Sequence, residues 1–227
     1  MDAVIFDFDG VVVDSEPVHC AGFARVLGEL GVTLTWETYC ERYLGFDDHD
    51  CFAAVLADHG VAASEARLDE LTRKKTVAVQ QVLAASATAM PGAVALIAAV
   101  SSAGVPLAVC SGALRPEIEI AARRIGVWER FLVVVAAEDV RHGKPDPEGY
   151  RLAVERLSDV TGVALRPERC VAIEDSPAGI AAAKLAGLGV LAVAVSYPAA
   201  ALEEADAVVP TLAEASLATL RALVAGR

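Results

Sequence analysis

The chain has 227 residues, 55% of them hydrophobic, and its 31 acidic side chains outnumber 19 basic ones for a formal net charge of -12. That apolar content suffices for a sizeable core and argues against a disordered chain. The negative charge counts against nucleic acid and anionic membranes as partners, so an anionic ligand would need a local positive site.

Five cysteines (Cys20, Cys40, Cys51, Cys110, Cys170) are odd in number and form no Cys-x-x-Cys pair. Neither a disulfide framework nor a zinc knuckle is expected, and a reduced, cytoplasmic setting is. No leader is expected either, because Val4-Ile5-Phe6 runs directly into acidic residues.

In chain order, the first short apolar run, 3–8, predicts a buried strand. Residues 15–89 then show helical periodicity without a strand, with helices expected over 17–30, 36–42, 47–59 and 64–85. Beyond them helices and apolar strands alternate. Helices are predicted over 92–103, 116–125, 147–157 and 177–186, and strands over 106–110, 131–135, 170–173 and 190–195. An edge strand at 207–209 and a terminal helix complete the series. Pro91, Pro116, Pro147 and Pro177 stand near helix starts, and Gly104, Gly126 and Gly187 follow helix ends. The apolar stretch 93–114 is broken by Ser101, Ser102, Gly104 and Pro106, which fits a helix, turn and strand rather than a membrane span. Strands with few polar positions, separated by amphipathic helices, predict an α/β fold: a doubly wound parallel sheet formed by 1–14 and 90–227, with an all-α domain, 15–89, inserted after the first strand.

In such a sheet ligands bind beyond the carboxyl ends of the strands. There the sequence places Asp7 and Asp9, then Ser111-Gly112, then Lys144 within Gly143-Lys144-Pro145-Asp146-Pro147, then Glu174-Asp175-Ser176. Singly, each reads as a turn, a cap or a solvated side chain; Ser176-Pro177, for instance, is a good helix start. Together they supply a chemistry. Carboxylates at i and i+2 of a strand end point the same way and repel unless a cation joins them. Mg2+, which prefers oxygen ligands, suits such a cluster. One carboxylate can attack phosphorus while the other moves protons. A hydroxyl, backbone N–H groups and a lysine can hold the phosphoryl oxygens.

Asp7-Phe8-Asp9-Gly10-Val11-Val12-Val13-Asp14-Ser15, Ser111, Lys144-Pro145 and Glu174-Asp175 resemble the four motifs of the haloacid dehalogenase superfamily, in order along the whole chain. The resemblance implies a Rossmann-like core, with 15–89 as its helical cap closing over substrate. It implies Asp7 as nucleophile and Asp9 as general acid/base. Asp7, the Asp9 carbonyl and Asp175 would hold Mg2+, with Glu174 close by or acting through water. Ser111, Gly112 and Lys144 would bind the phosphoryl group. Asp9 implies phosphate chemistry rather than dehalogenation. Within that branch the sequence is similar to the β-phosphoglucomutase and sugar-phosphatase group, whose hinge threonine and histidine correspond to Ser15 and His19. The mutase places an arginine in the loop matching Gly45-Phe46-Asp47-Asp48, where this chain has Asp48. A phosphatase for a small phosphorylated substrate is therefore expected, with a phosphomutase or a non-catalytic binding protein on the same fold as alternatives. Arg115 is either a substrate contact or a surface residue at a helix start, and either Lys74 or Lys75 is a substrate-facing lysine. His142 is expected to be structural. The sequence carries no signal for an oligomeric state.

Overall fold

The computed structural model describes residues 1–44, 46 and 48–226. It divides into two compact units, Met1–Asp14 with Thr88–Arg227, and Ser15–Ala87.

The first unit is built on six parallel strands: β1 (Ala3–Phe6), β2 (Leu107–Cys110), β3 (Val133–Val135), β4 (Cys170–Glu174), β5 (Gly189–Val193) and β6 (Ala207–Val209). Their order is β3-β2-β1-β4-β5-β6, with Ile5 in register with both Ala108 and Ala172. The strands lack polar alternation because helices cover both faces of the sheet. On one face Ala3, Ile5, Ala108, Cys110, Ala172 and Ala192 pack against Tyr150, Ala153 and Leu157 of α7 (Glu148–Thr161) and Ile180 and Ala183 of α8 (Pro177–Leu185). The alanines let the helices approach closely. Alternation turns Val4 and Phe6 the other way. Helices α5 (Ala93–Ser102) and α9 (Leu217–Leu223) pack against each other and against β2 and β5, and α6 (Arg115–Arg124) follows β2.

The first strand ends at Phe6, short of the predicted 3–8, because the Phe8 carbonyl accepts both Val12 N–H and Val13 N–H and turns the chain. Likewise α7 runs on to Thr161, past the predicted 157, and stops at Gly162, which supplies the left-handed residue at φ 68°.

The second unit holds α1 (Glu16–Gly28), α2 (Trp36–Arg42), α3 (Asp48–Asp58) and α4 (Glu65–Ser86). Thr35 and Ser64 cap α2 and α4 by accepting Thr38 N–H and Arg67 N–H. Its core joins Phe23, Leu27, Phe52, Val55, Leu56 and Leu71, with the Phe23 and Phe52 rings edge to face at 5.0 Å. The chain returns to the sheet unit at Thr88, two residues before the expected boundary: Asp14 N–H donates to the Thr88 carbonyl and Met90 N–H to that of Val12. Among the described residues, no helix is long and apolar enough to cross a membrane.

Candidate active site

Strand order reverses direction between β1 and β4, which opens a crevice beyond their carboxyl ends. Asp7 N–H donates to the Ile173 carbonyl at 2.9 Å, extending the ladder one residue past β1 and setting Asp7 beside Glu174 and Asp175. All three carboxylates are buried, and one oxygen from each lies within 4.8 Å of the others. Lys144, in the loop before α7, donates to Asp7 Oδ1 and Glu174 Oε1 at 2.5 Å each. The Lys144–Pro145 peptide is cis.

Glu174 is enclosed by donors. Its Oε1 also accepts the Tyr150 hydroxyl at 2.7 Å, and its Oε2 accepts Asp175 N–H, Ser176 N–H and the Ser176 hydroxyl. The enclosure explains Gly179 in the first turn of α8: a Cβ there would lie 1.9 Å from Glu174 Oε1. Gly10 has a similar role with φ at +71°, where a Cβ would lie 2.2 Å from Asp175 Oδ2. That same oxygen accepts the Ser196 hydroxyl.

Asp9 is half-buried and its Oδ2 accepts the Ser111 hydroxyl at 3.3 Å, while Ala113 N–H donates to Ser111 Oγ at 3.0 Å. Ser111, Gly112, Lys144 and Tyr150 line a cavity of about 260 Å³ in this unit.

The electrostatics follow from burial. Burial pushes the Asp7 carboxyl well above the usual aspartate range; Lys144 opposes this, and Glu174 and Asp175 add to it. Burial likewise raises Asp175 to about 6, against the pull of the Ser196 hydroxyl. For Lys144 burial works to lower the pKa, yet Asp7 and Glu174 outweigh it and hold the ammonium charged. Three carboxylates thus face one ammonium, an excess of negative charge that a divalent cation would relieve. The all-oxygen donor set fits a hard ion such as Mg2+. Asp7 and Asp175 are the better placed ligands, since both Glu174 oxygens already accept protein donors.

Seven of the sequence-predicted residues lie together at this edge: Asp7, Asp9, Ser111, Gly112, Lys144, Glu174 and Asp175. The Arg115 guanidinium donates to Asp139 and to the Val134 carbonyl, and Asp139 also holds Arg156 at 3.0 Å, so Arg115 ties the start of α6 to the segment after β3. Ser15 and His19 belong to the helical unit. Ser15 precedes α1 with a buried hydroxyl that has no hydrogen-bond partner among the described residues. His19 Nδ1 lies 2.7 Å from Lys75 Nζ, which also donates to Asp48 Oδ1 at 2.6 Å. Lys75 is the buried lysine of its pair, whereas Lys74 is exposed against Glu29. Gly45 and Asp47 of the loop before α3 lie outside the described residues. His142 is exposed, and its N–H donates to Glu148.

Two residues at the site are absent from the sequence-based expectations. Ser196 follows the fifth apolar run, and inspecting that strand end as the other four were would have found it. Tyr150 reads as an ordinary aromatic on the buried stripe of α7, and nothing in its sequence neighbourhood marks its hydroxyl.

The model for the haloacid dehalogenase-like hydrolase family matches residues 1–187. The chain is 30% identical over 210 residues, 92% of its length and 93% of the relative's, to validoxylamine A 7'-phosphate phosphatase of Streptomyces hygroscopicus subsp. limoneus. It is 30% identical over 211 residues, 92% of its length and 90% of the relative's, to hexitol phosphatase A of Escherichia coli. Among solved structures, CbbY from Rhodobacter sphaeroides in complex with phosphate superposes with a TM-score of 0.83 at 30% identity, covering 97% of this chain and 99% of that one. Since the matched span contains Asp7, Ser111, Lys144 and Asp175 at their strand ends, the chain belongs to the haloacid dehalogenase-like hydrolases.

Proposed function

We propose that this protein is a Mg2+-dependent phosphatase that hydrolyses a small, sugar-type phosphate monoester through an aspartyl-phosphate on Asp7. The observation that carries the reading is the buried Asp7 carboxylate, held by Lys144 beside Glu174 and Asp175 at the β1/β4 crevice. The substrate class is supported by the relatives, whose names describe phosphatases of carbohydrate-like phosphates.

Asp7 and Asp175 would hold Mg2+, together with the Asp9 carbonyl; bound there, the ion supplies charge neutralisation for an anionic phosphoryl group. The Asp7 carboxylate attacks phosphorus, and the bond to the ester oxygen breaks. Protonated Asp9 gives its proton to that oxygen, which leaves as an alcohol. Asp9 then takes a proton from water, whose oxygen attacks the phospho-aspartate and restores Asp7. Lys144 offsets charge on the phosphoryl oxygens and the nucleophile, and Ser111 with its neighbouring backbone N–H groups orients the phosphoryl group. The five free cysteines fit a reduced, cytoplasmic setting.

Asp48, which by resemblance stands where a mutase has an arginine, carries a carboxylate engaged by Lys75. That position therefore consumes a cation rather than offering one to a second phosphate, which favours hydrolysis over phosphoryl return.

Asp7→Asn is expected to abolish Mg2+-dependent turnover of p-nitrophenyl phosphate, and persisting turnover would sink the mechanism. A panel of sugar and polyol monophosphates, assayed for inorganic phosphate, would identify the substrate. Isomer formation from glucose 1-phosphate without phosphate release would favour the mutase.

A further inference from the structure

Tyr150 is the largest fully buried side chain among the described residues, and its phenol does not end in a hydrophobic wall. Its hydroxyl donates to Glu174 Oε1 at 2.7 Å, the same oxygen that accepts Lys144 Nζ at 2.5 Å. Its ring centroid lies 5.3 Å from that ammonium. Packing alone asks only for an aromatic ring at this point of α7, and phenylalanine would fill it. A phenol buried on the sheet needs an acceptor, and the one supplied is a carboxylate one bond network away from Asp7.

From this arrangement we infer that Tyr150 is a positioning residue for Lys144, acting through Glu174. The inference rests on the proposed roles of Asp7 and Lys144. Lys144 Nζ is divided between Asp7 Oδ1 and Glu174 Oε1. Its placement therefore depends on where Glu174 Oε1 stands. Donors from the β4–α8 turn fix Glu174 Oε2: Asp175 N–H, Ser176 N–H and the Ser176 hydroxyl. Among the described residues, the bond that fixes Oε1 besides that of Lys144 itself comes from Tyr150. With the hydroxyl present, the carboxylate is held at both oxygens, and the ammonium is aimed by an anchored partner. Without it, Oε1 is tethered only by the cation it is meant to aim. The ring contributes separately, since its face stabilises the ammonium without specifying direction.

The test separates hydroxyl from ring. In Mg2+ with p-nitrophenyl phosphate, Tyr150→Phe is expected to lower kcat about 10-fold while KM changes by less than about threefold, as for an interaction that matters more in the transition state. The inhibition constant for orthovanadate, which mimics the transferring phosphoryl group, should rise in parallel with the kcat loss. Tyr150→Leu, which also removes the ring, should lose more. Mg2+-induced thermal stabilisation of the metal-free protein should be retained in Tyr150→Phe, because Asp7 and Asp175 are untouched. A Tyr150→Phe enzyme with wild-type kcat and vanadate affinity would overturn the inference. So would a kcat loss with unchanged vanadate affinity, or one matched by loss of Mg2+ stabilisation, since each would mark a general disturbance. Asp7→Asn, assayed alongside, keeps the two readings apart: an inactive Asp7→Asn with an unaffected Tyr150→Phe defeats only the role of Tyr150, whereas an active Asp7→Asn defeats the mechanism itself.

Discussion

Lys144 Nζ donates to Asp7 Oδ1 at 2.5 Å across 137 residues of sequence, setting a charged ammonium against the carboxylate proposed to attack phosphorus. The lysine offsets the excess carboxylates of the resting site, and under the proposed mechanism it would also offset the charge that builds during transfer.

Lys144→Ala is accordingly expected to lower kcat on p-nitrophenyl phosphate by about 10³-fold, the range seen when a preorganised donor to a developing anion is removed. Steady-state kinetics at saturating Mg2+ would check this. A loss of less than about tenfold would mean that Lys144 is only a structural counter-charge.

Mg2+ should stabilise the metal-free protein, because Asp7, Glu174 and Asp175 outnumber the ammonium among them. Thermal unfolding in EDTA and in Mg2+ measures the increment, and Asp175→Asn should remove most of it. Ser196→Ala should weaken Mg2+ affinity about 10-fold, the usual effect of losing a partner that orients a metal ligand. An unchanged Mg2+ titration in Ser196→Ala would show that Asp175 needs no such support.

Gly179→Ala tests the enclosure of Glu174. Within α8, alanine should gain about 1 kcal/mol over glycine by helix propensity. The new Cβ, however, would stand 1.9 Å from Glu174 Oε1, with buried structure behind it. Overpacking of this kind costs about 3 kcal/mol, so the clash wins and the variant should be net destabilised in urea unfolding, with reduced activity. A stabilised variant would show that Glu174 can move aside.

Asp139 gives a dependence on pH that does not run through the Asp7, Glu174 and Asp175 cluster. Burial works to raise its carboxyl, but Ala136 N–H and Arg156, with Arg115, overcome this and hold it below the ordinary value of 3.8. A depressed folded pKa contributes stability that is complete above the unfolded value and fades as pH falls below it. Asp139→Asn should thus cost about 1 kcal/mol at neutral pH, a modest figure because both arginines reach water. The difference from wild type should shrink as pH drops below about 4. A difference that persists unchanged at low pH would assign the effect to packing.

Much of this protein was legible along the chain. Strands buried on both faces have to be apolar throughout, so 106–110 and 170–173 stand out, and Pro177 and Gly187 bracket a helix by their backbone preferences. Since ligands of a doubly wound sheet bind at strand ends, Asp7, Ser111, Lys144 and Asp175 could be named as candidates from position and residue type. Tertiary structure decided what depends on side-chain direction and on which strands are neighbours. Placing β1 between β2 and β4 sets Asp7 beside Asp175, 168 positions away (175 minus 7). Helix register, a matter of 100° per residue, turned Lys75 inward to Asp48 and His19 and left Lys74 at the surface with Glu29. Arg115 went to Asp139, and the Tyr150 hydroxyl found Glu174 at the buried end of an otherwise ordinary core position. Residue types along a chain specify which groups are on hand and in which element; whether two of them meet is set by packing, which sums contacts from segments that the sequence keeps far apart.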